Sequence, residues 1–531
     1  MQNRMYTSLA TVSTSAYRFG SGTLTFLGNN LYNLGASSVN AISYVMSPIF
    51  TPIERYMIGD LRTYLKNPME YNLQLIEQAR VNTSGFAMVN LGTIVGNLAV
   101  WLPQSQKDLE AVVNQLDKEK HGRTIHQSFS FLAGSSKFLL ADTSPEARIH
   151  RPFLTNNLSP SGYDSKLIWG EVKRATTEAG QGSVRLRQML SGVVFNVLAK
   201  RIFGIDSLPK NTFEVMECFE KDINEIIGFP FPSLFKFSPA LRKKRSFYER
   251  FEKDVLDGQL DVILKNMKEE ASPANKNLIL AFLVYLIQKD HPKFSQDELA
   301  SYLKKITKEE VETYFKTESM KMLPILLRPA ITLIDLLVVC LSQLACNPEL
   351  TEKLRVEIQK ENIFNNDQDV NYDRLLKSMP ILDAIYNETL RFDSTKAIPR
   401  YSQGEIKCGP VAVPAKTTII IDYEGVHKSK LFGENPEVYD PTRFLPNNDQ
   451  GQNEREAKSV NPPKLNEYPF VPFSAGTRRC PAMIITPRIF KLILVYLVEK
   501  FDLQPDKDKR DYLMFIPVDQ TSERHTLKKL S

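Results

Sequence analysis

Phe470-Val471-Pro472-Phe473-Ser474-Ala475-Gly476-Thr477-Arg478-Arg479-Cys480-Pro481-Ala482 runs into the largely apolar stretch from Met483 to Val498. It reads as an irregular loop that ends in a cysteine at the mouth of a helix. The free backbone N–H groups and positive dipole end of a helix N-terminus lower a thiol pKa and favour the thiolate. Arg478 and Arg479 add two fixed positive charges, and Pro481 suits a first helical turn. Gly476 lets the loop bend tightly. A thiolate held this way is a good ligand for a soft or borderline metal. A buried structural cysteine is the other reading, and the commoner one for an intracellular Cys.

Phe473, Gly476, Arg478 and Cys480 form the pattern Phe-x-x-Gly-x-Arg-x-Cys, which resembles the haem-ligand loop of the cytochrome P450 family. The resemblance implies that the Cys480 thiolate is the proximal ligand of haem iron and that Arg478 bonds a haem propionate. The family usually has Gly where this chain has Ala482. Further signals follow in the family's order and rough spacing. Ile381 to Phe392 reads as a helix on which Glu388 and Arg391 can pair at i and i+3. Asp440-Pro441-Thr442-Arg443-Phe444 is similar to the family's Pro-Glu-Arg-Phe stretch, with Thr442 in place of Glu. By resemblance, Arg443 joins Glu388 and Arg391 in a cluster that supports the haem pocket. Ala397-Ile398-Pro399-Arg400 resembles a segment beside the haem and makes Arg400 a propionate candidate. Arg151 is a third, from a match to Trp-x-x-x-Arg in which Ala147 replaces Trp; an ordinary surface charge is the alternative.

The strongly apolar stretch from Leu323 to Ala345 ends just before Asn347-Pro348. In the family a long helix crosses the distal haem face here, and its spacing places the proton-steering threonine at Thr332. The family's acid and glycine are replaced by Ile331 and Pro329. Pro329 is expected to kink the helix. Arg328 shares a face with Thr332, one turn away, and could bind a carboxylate bidentately. A similar Arg-Pro occurs in the fatty-acid peroxygenase branch, where the substrate's carboxylate is thought to replace the missing acid. Arg328 therefore reads either as an anchor for an anionic or polar substrate or as partner of a neighbouring acid.

Composition sets the outer limits. The chain has 531 residues, 42% hydrophobic and 10% aromatic, ample for a large core and incompatible with global disorder. A net charge of +6 gives no case for nucleic acid; it suits an acidic redox partner or an anionic membrane face. Five widely spaced cysteines without C-x-x-C argue for a reducing compartment and against a disulfide framework.

Residues 1–55 read as a leader. Up to residue 53 the only charges are Arg4 and Arg18, and 19–53 is wholly uncharged. A targeting or disordered leader and a membrane-associated segment both remain open. Pro68 opens a helix to about Ala79, and 86–91 and 98–102 read as two strands around a turn. Helical periodicity then covers 184–203, 213–227 and 247–267.

The resemblance implies a mainly α cytochrome P450 fold with a minor β lobe over residues 56–531. It implies haem b as cofactor and insertion of oxygen into a lipophilic small molecule. Electrons would come from a reductase or ferredoxin-type partner, since no flavin or nicotinamide fingerprint is present. The expected site is inside the cell, at a membrane or in the cytoplasm. A peroxide-using or rearranging enzyme and a non-enzymatic haem sensor or carrier are the rivals.

Overall fold

The computed structural model describes Tyr64, 68–91, 96–118, Phe153, 165–180, 182–204, 208–209, 211–226, 237–257, 260–269, 277–314, 323–366, 369–370, 374–375, 379–393, 398–445, 470–476, 479–506 and 512–517. The expected leader, 1–55, lies outside these residues, as do Arg151 and Arg478.

Helices dominate, as expected. They are α1 (Pro68–Val81), α2 (Gln106–Lys118), α3 (Ser165–Ala179), α4 (Leu186–Leu198), α5 (Thr212–Ile226), α6 (Pro239–Asp257) and α7 (Leu260–Glu269). There follow α8 (Leu278–Asp290), α9 (Gln296–Lys305), α10 (Lys308–Tyr314), α11 (Leu323–Ala345), α12 (Pro348–Lys360), α13 (Pro380–Phe392), α14 (Tyr423–His427) and α15 (Thr486–Lys500). The apolar faces of α4, α8, α11, α13 and α15 make one continuous core.

The minor lobe is a four-stranded sheet in the order β1 (Phe86–Asn90), β2 (Asn97–Trp101), β9 (Thr417–Ile421), β6 (Ile398–Ser402). β2 runs parallel to β9, and the other two pairings are antiparallel. Leu98 and Val100 of β2 enter one apolar cluster while Ala99 and Trp101 enter another. Side chains alternate along a strand, so this unbroken apolar run is a strand covered on both faces. Gly96 opens β2 at φ +89°, and a Cβ there would lie 2.2 Å from the Lys416 carbonyl oxygen. Only glycine permits both. A second, antiparallel sheet has the order β10 (Phe501–Pro505), β11 (Tyr512–Pro517), β3 (Gly182–Arg185). Two hairpins, β4/β5 (Phe364–Asn366, Asp369–Val370) and β7/β8 (Ile406–Cys408, Val411–Val413), complete the strands among the described residues.

Two boundaries differ from expectation. Val184 and Arg185 belong to β3, because pairing with β11 wins over helical periodicity, and α4 starts at Leu186. The helix expected over 247–267 is two, α6 and α7, with Gly258-Gln259 between them in the sequence. α11 runs from Leu323 to Ala345, the expected stretch, with Pro329 inside it. α13 starts at Pro380, where a missing N–H costs nothing. Its next two amides, Ile381 and Leu382, donate to the Glu357 carboxylate of α12 at 2.8 and 2.9 Å. A neighbouring helix thus caps the one that carries Glu388 and Arg391.

Candidate functional site

Cys480 closes a tight loop. Its amide donates to the Phe473 carbonyl at 2.8 Å, and the Ser474 amide donates to Val471 at 2.9 Å. Ser474 (φ +66°) and Gly476 (φ +75°) are both left-handed, which lets the chain double back over so few residues. Cys480 is half-buried and in no disulfide. The loop straddles two cores. Val471 and Ala475 sit in the sheet-side cluster, whereas Phe473 and Cys480 pack on the helical core. The helix mouth differs from expectation: Cys480 caps a four-residue 3-10 turn, Pro481–Ile484, and α15 begins only at Thr486. Pro481 still takes the first position of that turn.

Two elements present further candidates. Thr332 of α11 is exposed although Ala330, Ile331, Leu333 and Ile334 around it are buried. Asp335 lies one turn later and pairs with Arg187 of α4, which also meets Glu217 of α5 at 3.2 Å. Asp335 is therefore committed to helix packing. Arg328 and Pro329 lie on α11, but their side chains are outside the described residues. Arg400 of β6 is fully buried, and its Nη1 donates to the Pro399 carbonyl at 3.3 Å. A guanidinium this deep calls for anionic company.

Glu388, Arg391 and Arg443 come together. Arg391 Nε and Nη2 donate to the two Glu388 oxygens at 2.7 Å each, with both side chains at 0% exposure. Arg391 also donates to the carbonyls of His427, Pro436 and Val438 at 2.8, 2.7 and 3.2 Å. The Asp440 amide donates to Glu388 at 2.7 Å. Burial raises the Glu388 carboxyl pKa, and the Arg391 and Asp440 hydrogen bonds, which favour the charged form, oppose the rise. Arg443 stands 3.7 Å from Glu388 and spends its hydrogen bonds on the carbonyls of Phe432 and Asn435, at 2.5 and 2.6 Å. The cluster binds a loop to α13 through carbonyls as much as through charge.

A family model described as Cytochrome P450 matches residues 92–524. The chain belongs to the cytochrome P450 family. Cytochrome P450 3A19 of Capra hircus aegagrus is 30% identical over 167 residues, 31% of this chain and 69% of that relative. Lithocholate 6-beta-hydroxylase of Mesocricetus auratus is 24% identical over 362 residues, 65% of this chain and 64% of the relative. The chain thus spans just under two thirds of the hydroxylase. A solved zebra fish cytochrome P450 with abiraterone shares the fold, with a TM-score of 0.58 at 18% identity, covering 84% of this chain and 97% of that one.

Membership implies a haem-iron cofactor and monooxygenase chemistry. The residues of this cytochrome P450 fit such a group. A half-buried cysteine outside any disulfide could supply a thiolate ligand to the haem iron. The half-buried Phe473 lies beside it on the same core, and the buried Arg400 guanidinium suits a propionate.

Sequence reasoning missed three buried polar residues that tie elements together. Tyr423 and His427 of α14 and Glu357 of α12 are all buried and hydrogen-bonded. The one sequence signal for the first two is their i, i+4 spacing after Asp422, which caps α14 by accepting from Gly425 at 2.9 Å.

Proposed function

We propose that this chain is a haem-thiolate monooxygenase. It holds haem b and inserts an oxygen atom into an unactivated C–H or C=C bond of a lipophilic small molecule, drawing electrons from a separate reductase or ferredoxin-type partner. The observation that carries this is Cys480, half-buried at the end of a doubled-back loop between two cores, in a chain matched by the family model over residues 92–524. When bound, the haem would supply the oxygen-activating chemistry, with a thiolate as its protein ligand. The protein's own groups do the rest. Cys480 would hold the haem iron through its thiolate, and Arg400, with Arg478 and Arg151 assigned by resemblance, would balance the haem carboxylates. The exposed Thr332 hydroxyl holds and passes a proton at Oγ1. The relative named lithocholate 6-beta-hydroxylase supports a lipophilic substrate class. Residues 1–55 bring the protein to a membrane, a role that vesicle flotation with and without them tests.

The purified protein, reduced and exposed to carbon monoxide, is expected to give the absorption band of sulfur opposite the gas. Cys480→Ser is expected to lose it. A band typical of nitrogen ligation in the wild type would overturn the proposal.

A second reading, peroxide-driven turnover of a fatty-acid-like substrate, rests on one point. Ile331 stands where the family has its acid, and Asp335 is already tied to Arg187. Arg328 would then anchor the substrate carboxylate. Turnover with peroxide and not with reductase, lost in Arg328→Ala, would select it.

A further inference from the structure

The five-residue α14 is held at both ends. At its start, Arg80 of α1 donates to both Asp422 oxygens at 2.7 and 3.1 Å, and the Asp422 amide donates to the Trp101 carbonyl at 3.0 Å. At its end, the His427 carbonyl accepts from the buried Arg391 at 2.8 Å. From this fixed helix two side chains four residues apart, hence on one face, reach the cysteine loop. The Tyr423 hydroxyl meets Ser474 Oγ at 3.2 Å. His427 Nε2 accepts the Val471 amide hydrogen at 3.1 Å.

The His427 contact is built for one task. The ring is fully buried, with Phe470 and Phe432 at centroid distances of 5.4 and 5.8 Å. Burial and the nearby Arg391 charge push its pKa down to about 3. The imidazole is therefore neutral near pH 7. Since Nε2 accepts, its proton sits on Nδ1. Val471 then bonds Ser474 through its carbonyl, and Phe473 bonds the Cys480 amide. Few covalent and hydrogen-bonded links separate the imidazole from the sulfur-bearing residue.

We infer that His427 is a positioning residue for Cys480: it clamps the start of the ligand loop through the Val471 amide, with Tyr423 on Ser474 as the second point, so that the sulfur meets the cofactor in one pose. The inference rests on the haem-thiolate reading for what Cys480 binds, and on geometry alone for the clamp.

Three holoenzyme variants test it: His427→Phe, which keeps an aromatic ring but has no acceptor; His427→Gln, whose Oε1 reaches the Nε2 position; and Tyr423→Phe. The readout is the rate at which the carbon monoxide complex loses its thiolate band. A buried amide left without its acceptor is costly, so His427→Phe is expected to lose the band about tenfold faster than wild type. His427→Gln should stay within about twofold of wild type, and Tyr423→Phe should fall between. A His427→Phe rate equal to wild type, or a His427→Gln rate equal to that of His427→Phe, overturns the clamp. Hydrogen exchange of the wild-type protein as purified decides the matter if the variants do not fold: slow exchange at the Val471 amide supports the clamp, and exchange at the rate of an open loop overturns it. A wild type with no thiolate band would sink the haem-thiolate reading instead, and the exchange result would still judge the clamp.

Discussion

Glu388 and Arg391 meet one helical turn apart with both side chains fully buried, their two hydrogen bonds each 2.7 Å long. Such a pair adds little net stability when whole but leaves a buried charge when broken, at about 3–5 kcal/mol. Arg391→Ala and Glu388→Ala are each expected to lower unfolding stability in urea by about that much. Arg391→Lys should do nearly as badly, because one ammonium cannot replace a fork that serves a carboxylate and three carbonyls. A loss under about 1 kcal/mol, the range of a surface pair, would show that the site is wetter than the structure has it.

Arg443 should behave differently. Its hydrogen bonds go to Phe432 and Asn435 carbonyls, and Glu388 is 3.7 Å away. Arg443→Ala is expected to cost about 1–3 kcal/mol, and a double-mutant cycle with Glu388→Gln should give a coupling below about 1 kcal/mol. A coupling as large as that between Glu388 and Arg391 would make the three a single ionic unit.

Glu357 gives a pH signature. Burial is the largest influence and pushes its carboxyl up to about 7, against the Ile381 and Leu382 amides, which favour the charge. A carboxyl raised on folding takes up protons when the chain folds, so its stabilising contribution is lost as pH rises from about 4.5 through about 7. Glu357→Gln should flatten that part of the stability–pH curve in chemical denaturation. An unchanged slope would place the titration elsewhere.

His427 should act on the acid side. Its pKa falls from 6.5 to about 3, by burial first and Arg391 second. The unfolded chain then binds a proton that the folded chain refuses. Stability from this group is present above about 6.5 and is lost as pH falls toward 3. His427→Gln, which does not titrate, should lack this limb in acid melts, and retention of the limb would contradict the assignment.

Cys480, Arg443, Glu388, Arg391 and Thr332 follow the order and rough spacing of the cytochrome P450 pattern, and that resemblance made the fold legible. β1 and β2 were readable from local chemistry: glycine punctuates an apolar run that alternates between two clusters. What escaped was set by distant partners. Val184 and Arg185 become strand only because β11 lies beside them. Glu357 caps a helix that begins more than twenty residues later. His427 looks like any loop histidine until Arg391 and Val471 close around it.

The seating of the ligand loop has a last consequence. Val471 and Ala475 are gripped by the sheet side, and Phe473 and Cys480 by the helical side. Bleaching of the pigment during a melt should therefore act as a fuse. It should blow when the weaker half gives way, so the apparent heat tolerance of the chromophore would track the frailer partner and not the whole.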